Sequence, residues 1–425
     1  MENNGIFNEF NIHFNNKTDF RMIEKMTKKS IVYWAPPIEI AALPNKRENM
    51  VTNNLVKTRF IADKLLNNIK TGDKVGLKVH VGEAHNTHYL RPDFVREVVK
   101  AVKSKGGIPT LIETQGRGAK IERIEINNDY TICVGHRKSA EAHMKIAQLH
   151  GYTESVIGAP LKFIDGVDGI ERKIVKIDGI ELKEISVAKG LFDYDILLVI
   201  SHFKGHPFAG YGGALKQLGL GCVTKHNKQL AHFDSMYSIN PDFCSPSDCD
   251  KECIKTCKVE AVSLNEKFAV IDENFCYGCG LCFSRCPIER AVRRPTWNNV
   301  KKFVDRFIDN VKAVLSFGPE KIRYINFAFD IPAKCDCVSN ASVPVIPDLG
   351  TFGSIDPISI DKACIDMETE APGLPFLNEN GEWSIPLEKG VEKFKALNPI
   401  VDPTYQFKAA IKNKIGSIEY ELIKI

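Results

Sequence analysis

An α/β fold with a mixed or mostly parallel sheet, interrupted by a small cysteine-rich block, is what this sequence predicts. Three observations predict it. Apolar strand-like runs alternate with helix-period segments both before residue 240 and after residue 296. The succession strand, helix, glycine stop, strand is the βαβ signature of a parallel sheet. Between the two α/β stretches, eight of the 13 cysteines fall within residues 241–295. A block flanked on both sides by the same fold signal is better explained as a domain inserted into a loop than as two domains end to end. The expected units are 30–240 and 296–425 for the α/β domain and 241–295 for the insert. A polar lead-in, 1–29, precedes them.

The elements follow in order. Ile31–Ala35 is a short apolar run, and Leu55–Ile69 carries helical spacing. Lys74–Val81 alternates like a strand. Pro92–Lys105 has proline in its first turn, an apolar stripe through Phe94, Val95, Val98, Val99 and Val102, and Gly106-Gly107 as its stop. Pro109–Ile112 is the next strand, Ala140–His150 a helix, and Tyr194–Ser201 (YDILLVIS) the clearest buried strand. After the cysteine block come a helix over Val300–Phe317, a strand over Ile322–Phe329 and a proline-broken loop or short strand over Val343–Gly350. Helices over Ser359–Glu370 and Pro403–Lys414 follow, with an edge strand over Ile418–Ile425.

Composition narrows the function classes. The chain has 425 residues, 44% hydrophobic and 26% charged, the balance of an ordinary globular protein. A net charge of +4 demands neither nucleic acid nor an anionic membrane. No run of eighteen apolar residues exists, so no membrane span is expected. The start, MENNGIFNEF, lacks the layout of a signal peptide, and so many cysteines without an export signal point to metal ligation in a reducing cytoplasm.

The stretch Cys276-Tyr-Gly-Cys279-Gly-Leu-Cys282-Phe-Ser-Arg-Cys286-Pro287 has the spacing of the bacterial ferredoxin run for a [4Fe-4S] cluster. Three thiolates wrap a tight loop, and Gly278 and Gly280 let backbone N–H groups turn toward sulfur. Zinc is the alternative, disfavoured by four cysteines at this spacing before a proline. Cys257-Lys-Val-Glu-Ala261-Val262 echoes Cys286-Pro-Ile-Glu-Arg-Ala291-Val292, and Cys244, Cys249 and Cys253 precede it as a stretched copy of the run. In two-cluster ferredoxins each run gives its last cysteine to the other cluster. Carried over, that pattern assigns Cys276, Cys279, Cys282 and Cys257 to one cluster and Cys244, Cys249, Cys253 and Cys286 to the other. The longer loops and Lys258 in place of proline leave a single-cluster protein as the rival.

The richest glycine zone, from Ser201 to Cys222, begins at the end of the best strand, where open α/β sheets bind ligands. Gly212 and Gly213 allow close backbone approach, and Lys204 and Lys216 supply charge; the rival reading is that these glycines serve packing alone. No G-x4-G-K-[ST] loop and no G-x-G-x-x-G fingerprint occurs. His202 and His206 are read as hydrogen-bonding or acid–base groups rather than metal ligands. Cys335-Asp336-Cys337 offers soft metal ligands, a redox pair or small buried residues. Asp348, Asp361 and Lys362 add charge downstream, Asp361 with a helix cap as its plain alternative. Cys133, Cys222 and Cys364 read as small buried hydrophobes.

FKGHPFAGYGGALKQLGLGC, the cysteine block, and KCDC…VPVIPDLGTFGSIDPISIDKA, in that order, resemble the ferredoxin-fused form of the family catalogued as domain of unknown function 362. The resemblance covers roughly residues 70 to 370. It implies an α/β domain carrying a two-cluster ferredoxin module and places weight on Lys204, His206, Lys216, Cys335, Cys337, Asp348, Asp361 and Lys362. Gln217 stands where the family's run has asparagine.

The expectation is an iron–sulfur oxidoreductase that passes low-potential electrons through two [4Fe-4S] clusters to a substrate or cofactor in the α/β domain. Lys204, Lys216, Gly212, Gly213, Cys335, Asp348 and Lys362 would bind it. His206 or Asp361 would handle protons, with Lys216 and Cys337 in the chemistry. An external donor of ferredoxin or flavodoxin type is implied, in a cytoplasmic, anaerobic setting. A flavin and a third metal stay open. The rival functions are an electron carrier docking on a larger enzyme and a protein that assembles a cofactor or metal centre.

Overall fold

The structure, a computed structural model, describes residues 29–37, 53–117, 122–127, 130–134, 137–339, 342–377 and 380–425; for 53, 122–127 and 130–134 it describes the backbone alone. The lead-in through residue 28 and the side chain of Cys133 lie outside the described residues.

Eight strands form one sheet: β1 (Ser30–Ala35), β2 (Lys74–Lys78), β3 (Ile108–Glu113), β4 (Leu161–Phe163), β5 (Ile196–His202), β6 (Ile322–Ala328), β7 (Gly350–Ser354) and β8 (Tyr420–Lys424). Their order is β8-β1-β7-β6-β5-β2-β3-β4. From β6 to β4 every pairing is parallel. β7 is antiparallel to both neighbours, and the edge strand β8 runs parallel to β1. The fold is therefore α/β with a mixed, mostly parallel sheet.

Eight helices matter here: α1 (Asn53–Leu65), α2 (Pro92–Ser104), α3 (Ala140–Leu149), α4 (Ala214–Gly221), α5 (Lys225–His232), α6 (Val300–Val314), α7 (Pro357–Glu370) and α8 (Tyr405–Lys412). They cover both faces, as a parallel sheet requires. Along β5, Leu197 and Val199 enter one core with α4, α6 and α7, while Leu198 and Ile200 enter the other with α1 and α2. That is the period of two read directly. On α2, Pro92 opens the first turn, Phe94, Val95, Val98, Val99 and Val102 are buried, and Gly106 at φ +82° ends it. Each of those side chains contributes roughly 1.5–3 kcal/mol by burial, and a carboxylate at Val98 would break the contact.

Two differences from the sequence reading have physical causes. β7 does not show in the sequence, because GTFGS has no strand composition, yet it is fully buried at the sheet's interior. Gly353 is required there: a Cβ would lie 2.5 Å from Ile61 Cγ2 of α1, so glycine lets helix and sheet close up. The helix expected from Ser359 begins at Pro357. Asp356 caps it, accepting from Ile358 N at 2.8 Å and Ser359 N at 3.1 Å.

The chain steps from β2 through β3 to β4 in one direction, then returns to place β5 on the other side of β2. The carboxyl ends of β2 and β5 therefore border a topological switch point, where α/β sheets open a crevice.

Candidate functional site

Beyond β5 the chain turns back as a hairpin, Lys204–His206 against Gly210–Gly212, and runs into α4. Beyond β6 it makes a turn at Cys335–Val338, closed by Val338 N donating to Cys335 O at 3.2 Å. Gly205 is where the two segments meet: a Cβ would lie 2.2 Å from Ala333 O. This contact places His206, Cys335 and Cys337 so that one donor atom of each lies within 4.8 Å of the others.

Charge is paired tightly here. Lys216 Nζ donates to Cys335 Sγ at 3.3 Å. Lys204 Nζ lies 2.9 Å from Asp336 Oδ2 and donates to His202 O at 2.9 Å. His202 holds Asp336 Oδ1 at 2.9 Å through Nδ1 and Phe329 O at 2.8 Å through Nε2. Both ring nitrogens thus face oxygen atoms, which fixes the ring between Asp336 and Phe329. Burial alone would raise the Asp336 carboxyl, but the charges and hydrogen bonds of His202 and Lys204 hold it well below the usual carboxylate range. The Cys337 thiol hydrogen-bonds Cys335 and, with Lys216 and Lys204, outweighs burial to push the Cys335 thiol far down; Cys337 is pushed up by the same bond. The two thiols therefore titrate as a pair, with Cys335 the first to ionise.

His206 is different. Its Nδ1 accepts from Phe208 N at 3.2 Å and Ala209 N at 2.9 Å, and its ring stacks on Phe303 at 6.0 Å. Burial, then Lys216, pushes its pKa well down. The ring is neutral, with its proton on Nε2, so it offers a hydrogen bond.

The far wall is absent from the sequence reading. Arg137 donates to Glu83 Oε2 at 3.1 Å, to His80 Nε2 at 3.1 Å and to Cys337 O at 3.5 Å. Below it, Lys78 is fully buried with Glu113 at 2.6 Å. His80, just past the end of β2, is kept neutral by burial and then by Arg137, Lys204 and Lys216. A lysine, a histidine and a glutamate in a stretch of otherwise apolar residues, LKVHVGE, are the signal that could have found it.

Several expected residues sit elsewhere than expected. Asp361 lies inside α7, and its carboxylate caps a different helix, α4: it accepts from Ala214 N at 2.7 Å, Leu215 N at 3.0 Å and Asn326 Nδ2 at 2.7 Å. Burial raises it to about 6, but three donors occupy its oxygens. Gly213 makes room for it, since a Cβ would lie 2.4 Å from Asp361 Oδ1. Gly212 lies between the lysines: a Cβ there would lie 3.4 Å from Lys216 Cδ and 3.5 Å from Lys204 Cε. Asp348 accepts from Asp330 N at 2.8 Å, and Lys362 pairs with Asp366 at 2.5 Å along α7. Gln217 donates to Ile200 O at 3.0 Å, so the longer amide serves the end of β5. Cys222 and Cys364 are fully buried.

The cysteine block forms a third, small core of Cys253, Val262, Ala269, Cys282 and Val292. Its two halves repeat. A left-handed residue, Lys251 or Gly280, opens each short helix, Glu252–Lys255 or Leu281–Arg285. Glu260 and Arg290, at φ +52° and +63°, then turn each chain into the Ala-Val pair that reaches the core. Cys253, Cys257, Cys276, Cys279 and Cys282 line one apolar pocket. Burial raises Cys276 to about 11, and Cys279 and Cys257 add to it. Burial also raises Cys253, reinforced by Cys286, Cys249 and Cys244. Gly278 N and Ala261 N point at Cys276 Sγ and Cys257 Sγ at 3.4 and 3.2 Å, and Ala269 N at Cys244 Sγ at 3.4 Å. Sulfur donors ringed by N–H groups suit iron–sulfur clusters.

Helix α5 lies between block and crevice. His226 Nδ1 bonds Cys276 O at 2.7 Å. Lys228 Nζ donates to Thr114 Oγ1 at 2.6 Å and Gln115 O at 2.5 Å, just past β3. Lys258, the residue in the place of proline, reaches Asp168 at 2.8 Å. No helix among the described residues is long and apolar enough to cross a membrane.

Known proteins resemble parts of this chain. Protein Pixie of Drosophila melanogaster is 33% identical over 85 residues, 18% of this chain and 14% of that protein. A component of the tetrathionate reductase of Archaeoglobus fulgidus is 28% identical over 91 residues, 19% of this chain and 44% of that protein. The chain therefore spans less than half the length of these relatives. The lactate racemase apoprotein of Thermoanaerobacterium thermosaccharolyticum superposes with a TM-score of 0.29 at 12% identity, covering 72% of this chain and 52% of that one. A family model spans residues 75–366, from β2 across the crevice and the cysteine block into α7, and by that match the chain belongs to the family described as Domain of unknown function (DUF362).

Proposed function

We propose that this chain is an iron–sulfur reductase. Residues 241–295 form its two-cluster module, and the crevice holding Lys204, Lys216, Cys335 and Cys337 is where electrons are delivered. One observation carries the reading: α5 touches the Cys276 loop through His226 and the crevice wall through Lys228. Bound [4Fe-4S] clusters supply single electrons at low potential. Cys276, Cys279, Cys282 and Cys257 would hold one, and Cys244, Cys249, Cys253 and Cys286 the other.

The crevice residues set what is accepted. Lys216, Lys204 and Arg137 are cations partnered by Cys335, Asp336 and Glu83. Cation-rich surroundings favour an anionic or carbonyl-bearing substrate, and burial strengthens that attraction. His206 presents Nε2–H as a donor to bound substrate. Asp361 fixes the glycine loop through the α4 cap and is a positioning residue. An external one-electron donor completes the scheme.

Anaerobic purification, iron and sulfide counting, and EPR before and after dithionite test this. About eight irons per chain and cluster signals on reduction are expected. Stoichiometric zinc in place of iron would end the redox reading.

A further inference from the structure

Resting on that reading, we propose that Cys335 and Cys337 are a reversible dithiol–disulfide couple, through which the crevice reduces a disulfide substrate. Three features of the turn support it. The Val338 N to Cys335 O bond folds residues 335–338 back on themselves, bringing the two sulfurs together, with Cys337 N only 3.5 Å from Cys335 Sγ. The sulfurs are unequal: Cys335 is fully buried beside Lys216, whereas Cys337 is partly exposed. A disulfide across a single residue is strained, and strain raises its reduction potential, so the closed bond reopens readily when electrons arrive and excess substrate drives its closure.

The third corner of the cluster argues against a metal. A ligating histidine normally donates its second ring N–H to an acceptor. His206 does the reverse, because Nδ1 accepts from Phe208 N and Ala209 N. The proton then sits on Nε2, and binding a metal there would require its loss.

In the exchange, the Cys337 thiol, its proton passing to the Cys335 thiolate, attacks one sulfur of substrate RSSR and expels RS⁻. That leaving thiolate takes the proton back from Cys335 and departs as RSH. Cys335 then attacks the Cys337 sulfur of the mixed disulfide, expelling the second RS⁻ and closing the Cys335–Cys337 bond. Two electrons have passed to the substrate. Reopening the bond takes two electrons and one proton, which lands on Cys337 and regenerates the thiolate–thiol pair. The iron–sulfur module of the proposed function, with its clusters bound, would supply those electrons one at a time.

The test uses the full anaerobic protein and oxidised glutathione, with acid quenching, alkylation and mass analysis of the peptide carrying 335–337. The wild-type chain is expected to form the internal disulfide, reopened by dithionite. Cys335→Ser is expected to trap glutathione on Cys337, and Cys337→Ser to take up at least tenfold less on Cys335. Unmodified Cys337 in Cys335→Ser, with cluster absorbance at the wild-type level, would overturn the couple. So would a metal bound one per chain that shields both thiols. Iron counts and EPR are read on the same samples, so intact clusters with a silent pair would sink this inference and leave the electron route standing.

Discussion

Cys276 and Cys282 in the cysteine block and Cys335 in the crevice are handled in opposite ways. In the cysteine block, burial and mutual repulsion push Cys276 up to about 11 and Cys282 to about 12. In the crevice, Lys216, Lys204 and the Cys337 thiol together push Cys335 far down despite burial. The raised thiols of the block, Cys253, Cys276 and Cys282, ionise more easily once a cation is beside them. The crevice already carries its own. In one region burial dominates the thiols; in the other a lysine ammonium answers it.

The largest test of that contrast is to remove the iron that the proposed function places in the block. The small core has five buried members, two of them cysteines, too little to hold a fold of this size unaided. Stripping iron with a chelator is expected to abolish hydrogen-exchange protection across 238–293 while β5, α4 and the 331–337 segment keep theirs. Protection retained in the iron-free block would erase the contrast.

Next comes the crevice's own charge. Lys204→Met leaves the Asp336 carboxylate buried with only His202 against it. Breaking a buried pair in this way costs about 3 kcal/mol, read as a lower Tm. The pH dependence follows from the sign of the shift. Asp336 is held below its unfolded value, so its contribution is complete above about pH 4 and fades as pH falls below that. Lys204→Met should shift this acid loss to higher pH. A variant with wild-type Tm and acid limb would mean that the pair contributes nothing.

How much of this is legible in the sequence differs between the regions for the same reason. The block's logic is local: cysteines with two or three residues between them, with Gly278 at φ +71° and Gly280 at φ +78° where the loop turns, can be read in one line of sequence. The α2 helix is legible likewise, through its proline, its stripe and its glycine. The crevice is assembled by the sheet. Lys216 and Cys335 meet across 119 residues, and Arg137 reaches Glu83 across 54. No spacing rule encodes such meetings. Asp361 is legible as a residue of note but not as the cap of α4, because that helix starts 147 residues away from it.

A smaller effect is expected from Lys216→Met. Without that ammonium 3.3 Å away, the thiolate on Cys335 loses a counter-charge but keeps the Cys337 hydrogen bond. The wild-type pair should react with iodoacetamide well below about pH 8.5, the ordinary thiol value, because the lowered group stays ionised as pH falls. In the variant, the rate at about pH 6 should drop about tenfold, one pKa unit's worth. Identical rate–pH profiles would show that Lys216 does not set the charge of the pair.

The smallest effect concerns the seam between the regions. Lys258 stands where the Cys286 run has proline, and it pairs with Asp168 at 2.8 Å, with side-chain exposures of 55% and 34%. An exposed pair of this kind contributes about 0.2–1 kcal/mol, less at high salt. Lys258→Ala should therefore leave Tm within a degree or two. The same substitution removes a strut between the Cys257 turn and the α/β body, so the exposed rim of the block should exchange its amides faster while α5 does not change. If both regions loosen together, α5 and its His226 bond are not the main connection, and the lysine standing in the place of proline carries more of the docking than its exposure suggests.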